Sequence, residues 1–445
     1  MSNEVKKIPE VSVWRFLKHS TQILKNPLPF HRQNFEKHGD TFRLLLPGNK
    51  SVVFSRDAEF LQHALQKNQK NFTKSPIQTK DLSKYVGQGL LTAEGNHWKK
   101  QRKLIQPAFH KKQIFQLLDT IQSVIAEEMK RFQPGKPIDI FPVFNDLAFK
   151  TVVKSLFKTA VSDAEINRLQ QITEEAQKML VRELRQPYKL WWFRLSGQIQ
   201  HHINLTDEAR QILLKLVRQR QQSQERPGDL LDMLLDAKYE DGTFMSEEQL
   251  LDEILILFVA GHETTSNALT FTAQLLAKNQ EVQDRVYEEV QSAKSESVDP
   301  LEMIKALPYT NQVVEESLRL YPPAYFIDRE NIETDYFGGF EIPKGTSLLF
   351  SVIEIHRHAG FWERPLAFDP DRFAEGNSLK YSAFYYPFGA GSRMCIGNNF
   401  AMYEMVLAVA EMVSKFKILE KKSPIEILPL ITLKPKNALL EFERR

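Results

Sequence analysis

Phe388-Gly389-Ala390-Gly391-Ser392-Arg393-Met394-Cys395-Ile396-Gly397 is the stretch on which the reading of this chain turns. It holds the only cysteine among 445 residues, in a glycine-rich loop that runs into an apolar helix. Glycines let a backbone adopt positive φ and approach a partner closely, and they leave amide N–H groups free to point at an acceptor. A helix beginning near Met394 adds the positive end of its dipole, which lowers a thiol pKa and favours the thiolate. A thiolate so placed is a candidate metal ligand. Without its neighbours, a lone cysteine in an intracellular protein is more often a small buried hydrophobe.

The pattern Phe-x-x-Gly-x-Arg-x-Cys-x-Gly is matched at every specified position, and it resembles the haem-binding signature of the cytochrome P-450 family. The resemblance implies that the Cys395 sulfur is the axial ligand of haem b (iron protoporphyrin IX), with Phe388 and Arg393 also at the cofactor. It further implies a mainly α fold with a small β-rich lobe and a long central helix over a buried haem. A single domain over residues 1–445, with no fused reductase, is expected.

Composition sets the bounds. Hydrophobic residues at 42% and charged residues at 26% describe an ordinary globular chain with ample core. A net charge of +3 argues against a dedicated nucleic-acid binder. One cysteine excludes an intramolecular disulfide and fits a reducing compartment. Residues 1–40 carry charge throughout and hold no long apolar run, so neither a signal peptide nor a membrane anchor is expected, and the expected location is the cytoplasm.

Upstream, Thr41 to Leu46 and Ser51 to Phe54 flank Pro47-Gly48-Asn49 and read as a hairpin. Apolar residues at three- and four-residue spacing predict helices over Ile114 to Arg131, Pro142 to Phe157, Asp163 to Leu184, Thr206 to Gln222 and Glu247 to Ala277. Strands are expected between Phe326 and Leu349, then an irregular stretch from His358 to Ser392. A helix after Cys395 and short strands among Ile425 to Phe442 close the chain.

Ser246 and Gln249 form a capping-box pattern that starts the longest helix. Its middle, Ala260-Gly261-His262-Glu263-Thr264-Thr265, places a glycine and polar groups in an apolar helix, a departure of the kind that marks functional sites. The bland reading is a kinked core helix with Thr264 and Thr265 bonding back to carbonyls. The segment resembles the family's oxygen-activation motif. That resemblance implies small residues admitting dioxygen, Thr264 hydrogen-bonding the bound oxygen, and Glu263 relaying protons. His262 is expected to face another helix and is given no role.

Glu316 and Arg319 stand at i, i+3 on a helix stopped by Pro322-Pro323, among apolar neighbours that imply burial. They resemble the family's Glu-x-x-Arg element, and Pro370-Asp371-Arg372-Phe373 its Pro-x-Arg-Phe element. A structural charge triad of Glu316, Arg319 and Arg372 is therefore implied. Trp98, Arg102 and Arg393 resemble the family's propionate-binding residues. Arg329 is a further candidate, for which a solvated strand residue is the competing reading.

The resemblance implies a monooxygenase that inserts one atom of O2 into a C–H bond with electrons from a ferredoxin or flavodoxin and its NAD(P)H-dependent reductase. Lys99, Lys100, Lys103, Lys111 and Lys112 form a basic patch that would steer an acidic donor, or simply a solvated face. A haem-thiolate peroxygenase or isomerase, and a haem-based sensor, are the alternatives. The acid–alcohol pair Glu263-Thr264 argues for the monooxygenase. By resemblance, substrate contacts fall in residues 72–92, 179–204, 255–264 and 324–327. Within the second region Arg182, Arg185, Tyr188, Lys189, Trp191, Trp192, Arg194, His201 and His202 mix aromatics with cations. They would hold a fatty-acid carboxylate, stack on a methoxy sugar destined for oxidative O-demethylation, or form a lid that never touches substrate.

Overall fold

The alternating apolar residues on either side of Pro47-Gly48 build the hairpin that seeds the largest sheet. The computed structural model describes residues 6–445 apart from 49, 159, 297–298, 378, 380–381 and 421–423, so Asn49 of that turn lies outside the described residues. Residues 1–75, 312–395 and 425–436 form one compact unit, and residues 76–311, 396–424 and 437–445 form another.

In the first unit β1 (Glu10–Val11), β2 (Thr41–Leu46), β3 (Lys50–Ser55), β4 (Phe72–Thr73), β5 (Phe326–Asn331) and β6 (Ser347–Ser351) make one sheet in the order β1-β2-β3-β6-β5-β4. β2 and β3 pair antiparallel from Thr41 opposite Ser55 to Leu46 opposite Lys50. β3 runs parallel to β6, which runs antiparallel to β5. One face is closed by aromatic rings: Phe42 stacks on Phe54 at 5.3 Å and meets Phe35 edge-on at 5.0 Å. Between β5 and β6, the strands Asp335–Phe337 and Phe340–Ile342 turn at Gly338 and Gly339, whose φ of 60° and 82° only glycine adopts without strain.

The long helices are α1 (Gly95–Ile105), α2 (Ile140–Phe157), α3 (Asp163–Arg185), α4 (Gln198–Gln222), α5 (Glu247–Lys278), α6 (Pro308–Leu320) and α7 (Asn398–Lys415). In the second unit α5 packs along α2 and against α7. Leu250, Ile254, Phe258, Leu269, Phe271 and Leu276 of α5 are all buried, each contributing about 1.5–3 kcal/mol relative to exposure. The Ser246 hydroxyl caps α5 by accepting the Gln249 N–H at 3.1 Å. Gln249 does not return the bond as the capping-box pattern predicts; its amide turns to Gln88 O and Glu253 Oε1.

Three helix boundaries differ from the periodicity. The stretch predicted over Ile114 to Arg131 is two helices, Lys111–Phe115 and Leu118–Glu128, broken where both Leu117 and Leu118 turn into the core. α4 begins eight residues before Thr206, at Gln198, because Gly197 at φ 71° turns the chain there; the polar run after it hides the apolar period. The helix following the cysteine begins at Asn398 rather than near Met394. Gly391–Arg393 forms a 3-10 turn and Met394 is extended at ψ 146°, so Cys395 precedes the helix instead of lying in its first turn.

Candidate active site

In the first unit the ligand loop is shaped by backbone constraints. Gly389 and Gly391 lie at φ 69° and 70°. A Cβ on Gly391 would also sit 1.9 Å from the Leu65 carbonyl oxygen, so this glycine meets both a dihedral and a close-approach requirement. The Cys395 N–H donates to Phe388 O at 2.9 Å, and the Met394 N–H to Gly391 O at 3.1 Å. Gln69 Oε1 accepts from the Ser392 N–H at 3.2 Å and from its hydroxyl at 2.6 Å. Thus fastened, the loop leaves Cys395 exposed, which removes the small-buried-hydrophobe reading. Gly391→Ala is expected to cost more than about 1 kcal/mol and to lower haem content, measured by thermal unfolding and the Soret-to-protein absorbance ratio.

The charge cluster behind this loop is complete within the same unit. Glu316 and Arg319 of α6 are fully buried and form a two-pronged pair, Nε to Oε2 at 2.6 Å and Nη2 to Oε1 at 2.7 Å. Arg319 also donates to the carbonyls of His356 and Pro365, both at 2.8 Å, and of Ala367 at 3.0 Å. Glu316 Oε1 takes the Asp369 N–H at 3.0 Å and has Arg372 Nε at 3.4 Å. Arg372 is thus the outer member, and its own guanidinium reaches Arg364 O at 3.1 Å. Every donor of Arg319 is directed at an acceptor, as a buried guanidinium requires.

In the second unit the middle of α5 stays helical through its glycine. Leu257, Val259, Ala260, Gly261, Glu263 and Thr264 are the partly or fully exposed residues of a stretch whose neighbours Phe258, His262 and Thr265 are buried. Ala260 and Thr264 thus share an open stripe of small residues, one turn apart. The glycine also meets a packing requirement. A Cβ on Gly261 would meet Val152 Cγ2 of α2 at 2.8 Å, so its bareness permits close packing of the two helices. His262 faces α2 as well, with its ring edge-on to Phe149 at 5.3 Å and Nδ1 2.6 Å from Phe258 O. The Thr264 hydroxyl donates back to Ala260 O at 2.7 Å, and Glu263 is its half-buried neighbour.

The cation candidates are distributed over both units. Trp98 is buried and Arg102 half-buried, one turn apart on α1, with Arg102 Nε donating to Gln106 Oε1 at 3.0 Å. Arg393 lies in the 3-10 turn of the ligand loop. Arg329 is a buried residue of β5 that donates to Asp328 O at 2.7 Å, so the solvated-strand reading does not hold for it. Lys99, Lys100, Lys103, Lys111 and Lys112 are all exposed, and Lys103 pairs with Glu240.

Several carboxylates were not singled out in the sequence. The residues following Val86 belong to a segment expected to touch substrate, and α5 holds it by its backbone: Asp252 accepts the Gln88 N–H at 2.6 Å and Glu253 the Leu90 N–H at 2.9 Å. Asp252 also pairs with Arg210 of α4. Glu183 of α3 takes both the Tyr85 hydroxyl and the Lys84 ammonium, and burial together with this bond raises the Tyr85 pKa far above its ordinary value. The aromatic–cationic stretch lies largely on the surface, with Tyr188 and Trp191 63% and Trp192 50% exposed. Phe193 and His202 are its buried members, Phe193 under the Arg182 guanidinium at 4.9 Å.

These residues fit a haem. Among the described residues no group of His, Cys, Asp and Glu gathers as a metal site, and an iron held at the exposed Cys395 sulfur would need a group that carries its own further donors. A porphyrin does that, and a glycine-lined loop admits its flat ring. Among the described residues no helix is long and apolar enough to cross a membrane.

Comparisons with known proteins agree with the geometry. The family model described as Cytochrome P450 matches residues 9–442. Pentalenene oxygenase of Streptomyces avermitilis is 27% identical over 90% of this chain and 88% of its own length. Cytochrome P450 4Z1 of Homo sapiens is 29% identical over 84% of this chain and 78% of its own. Among solved structures, the cytochrome P450DA heme domain superimposes with a TM-score of 0.88 at 22% identity, covering 99% of this chain and 98% of that one. With a glycine-rich loop that carries its cysteine, a buried Glu–Arg cluster and a family match along nearly its whole length, this chain belongs to the cytochrome P450 family and is an oxygen-incorporating, haem-dependent oxidoreductase.

Proposed function

We propose that residues 1–445 act as one haem-thiolate monooxygenase domain that hydroxylates a C–H bond of a small organic substrate. The observation that carries this reading is the single exposed sulfur of Cys395 on a loop pinned by Gln69 and Phe388. Haem b, when bound, supplies the oxygen chemistry: with two electrons, two protons and O2, one oxygen atom enters the substrate and the other leaves as water.

The chain's own residues hold the cofactor and handle protons. Cys395 would hold the iron through an anionic sulfur, while Trp98, Arg102, Arg393 and Arg329 would offer donors to the propionates and Phe388 an apolar contact. Glu316, Arg319 and Arg372 brace the loop. The Thr264 hydroxyl, now bonded to Ala260 O, becomes a donor toward the reacting centre once that bond is released, and Glu263 beside it is a carboxylate able to replenish the proton. A sensor or an isomerase has no need of such a pair. The exposed lysines of the Lys99–Lys112 region would offer an acidic ferredoxin or flavodoxin a complementary surface, and the location proposed with such a donor and its reductase is the cytoplasm.

Thr264→Ala tests the proton role. The variant is expected to keep its haem spectrum and consume NAD(P)H while releasing most of the electrons as hydrogen peroxide, read by a peroxidase-coupled assay against product yield. Tight coupling would assign proton management to another group.

For the substrate, a fatty-acid carboxylate would pair with cations such as Arg185 and Lys189, and a methoxy sugar would stack on Trp191 or Trp192. The exposure of these rings favours the lid. Two relatives are named for terpenoid compounds, Pentalenene oxygenase and Cyclooctat-9-en-7-ol 5-monooxygenase of Streptomyces melanosporofaciens, the latter 28% identical over 90% of this chain. Spin-state titration with a fatty acid, a methoxy sugar and a cyclic terpene separates the three classes.

A further inference from the structure

His356 is completely buried, and its ring spans two segments that lead to the ligand loop. Nδ1 lies 3.2 Å from the Arg319 carbonyl oxygen near the end of α6, and Nε2 lies 2.7 Å from the Tyr386 amide nitrogen. A backbone amide can only donate, so Nε2 must be the lone-pair nitrogen and the ring proton sits on Nδ1, donating to Arg319 O. The ring is therefore neutral. Burial, joined by the neighbouring Arg319 charge, lowers its pKa from 6.5 to about 3.

The rest of the residue is equally committed. Its carbonyl accepts Arg319 Nη1 at 2.8 Å, and its N–H donates to Val352 O at 2.8 Å. From Tyr386 the bonds continue toward the sulfur. The Tyr386 carbonyl accepts the Gly389 N–H at 3.2 Å, and the Phe388 carbonyl accepts the Cys395 N–H at 2.9 Å. Tyr385 is pinned alongside, with its hydroxyl donating to Glu315 O at 2.9 Å and its ring 5.3 Å from that of His356. His356 thus stands in an unbroken run of hydrogen bonds and short peptide steps from the buried arginine to the amide of the ligand cysteine.

We propose that His356 is a positioning residue for the thiolate loop: as the Nδ1–H tautomer it fixes the Tyr386 amide to the Arg319 end of α6 and so sets where Cys395 holds its sulfur. The proposal rests on the reading of Cys395 as haem ligand. What singles out the imidazole is its two-sided chemistry, an acceptor on one edge and a donor on the other, joining backbone groups that no aliphatic side chain could join.

The test compares His356→Leu, which fills the site but leaves the Tyr386 N–H without an acceptor, with His356→Gln, whose Oε1 can occupy the Nε2 position. Each holoprotein is reduced, treated with carbon monoxide and scored for its long-wavelength thiolate band against the shorter-wavelength band of a lost thiolate. His356→Leu is expected to lose most of the thiolate band and to shift its haem reduction potential, and His356→Gln to recover most of both. A wild-type band and potential in His356→Leu, or equal damage in the two variants, would overturn the positioning role. A wild-type protein lacking the thiolate band would instead overturn the Cys395 reading beneath it. If His356→Leu is not recovered folded, 15N NMR of histidine-labelled carbon-monoxide complex reads the tautomer directly. A bare Nε2 at neutral pH supports the proposal, and a protonated Nε2 contradicts it.

Discussion

Arg319→Ala is expected to destabilise the protein by about 3–5 kcal/mol, because removing one member of a buried ion pair leaves the other as an uncompensated charge. The stranded group would be Glu316, fully buried, with only the Asp369 N–H and the more distant Arg372 left to it. The substitution also strips a donor from each of the His356, Pro365 and Ala367 carbonyls. Those carbonyls belong to the irregular stretch between β6 and the ligand loop, which has little regular hydrogen bonding to hold it, so loss of haem accompanies loss of stability. Arg319→Lys should rescue little, since an ammonium cannot fork to Glu316 and reach three carbonyls at once. Urea unfolding of the apo- and holoproteins, with haem content measured on the purified variants, checks both statements. A shift below about 1 kcal/mol would mean that the cluster contributes no more than a surface pair.

Cys395→Ser is expected to have the opposite profile. The cysteine side chain is exposed, and the loop is held through its backbone N–H, which serine retains. Stability of the haem-free protein should therefore stay within about 0.5 kcal/mol, as for other exposed substitutions. Oxygenase activity should fall to background, because a serine hydroxyl is not an anionic sulfur donor at neutral pH and gives none of the electron release that favours O–O cleavage. Turnover of the haem-loaded variant with a surrogate redox partner, beside circular dichroism and unfolding of its haem-free form, measures both. Retained oxygenase activity would overturn the assignment of the sulfur.

The two variants also mark which parts of the protein were legible in its sequence. The ligand loop, the Glu316–Arg319 pair and the capped start of α5 could be read because each rests on residues near one another in the chain, where spacing reports geometry. The hairpin of β2 and β3 was legible for the same reason. His356 was not, since its partners are the backbone groups of Arg319 and Tyr386, which leave no mark on the residue types at those positions. Asp252, Glu253 and Glu183 were hidden likewise, because two of them bind the amides of a distant loop and the third binds Tyr85 and Lys84 across about a hundred residues. Gly261 was read for its neighbours in the motif, and its close approach to Val152 on another helix left no mark nearby in the sequence. The start of α7 was placed early because the apolar pattern runs on through Met394 and Ile396, and only the backbone angles of the 3-10 turn and of Met394 reveal that the helix waits until Asn398.

Sulfur ligation by Cys395 is the claim on which the rest depends, and the most direct measurement of it is the carbon monoxide difference spectrum of the dithionite-reduced protein, expressed with haem supply. The account predicts a Soret band at the long-wavelength position given by an anionic sulfur opposite carbon monoxide. A band at the shorter position of histidine ligation in freshly prepared, folded protein would contradict it.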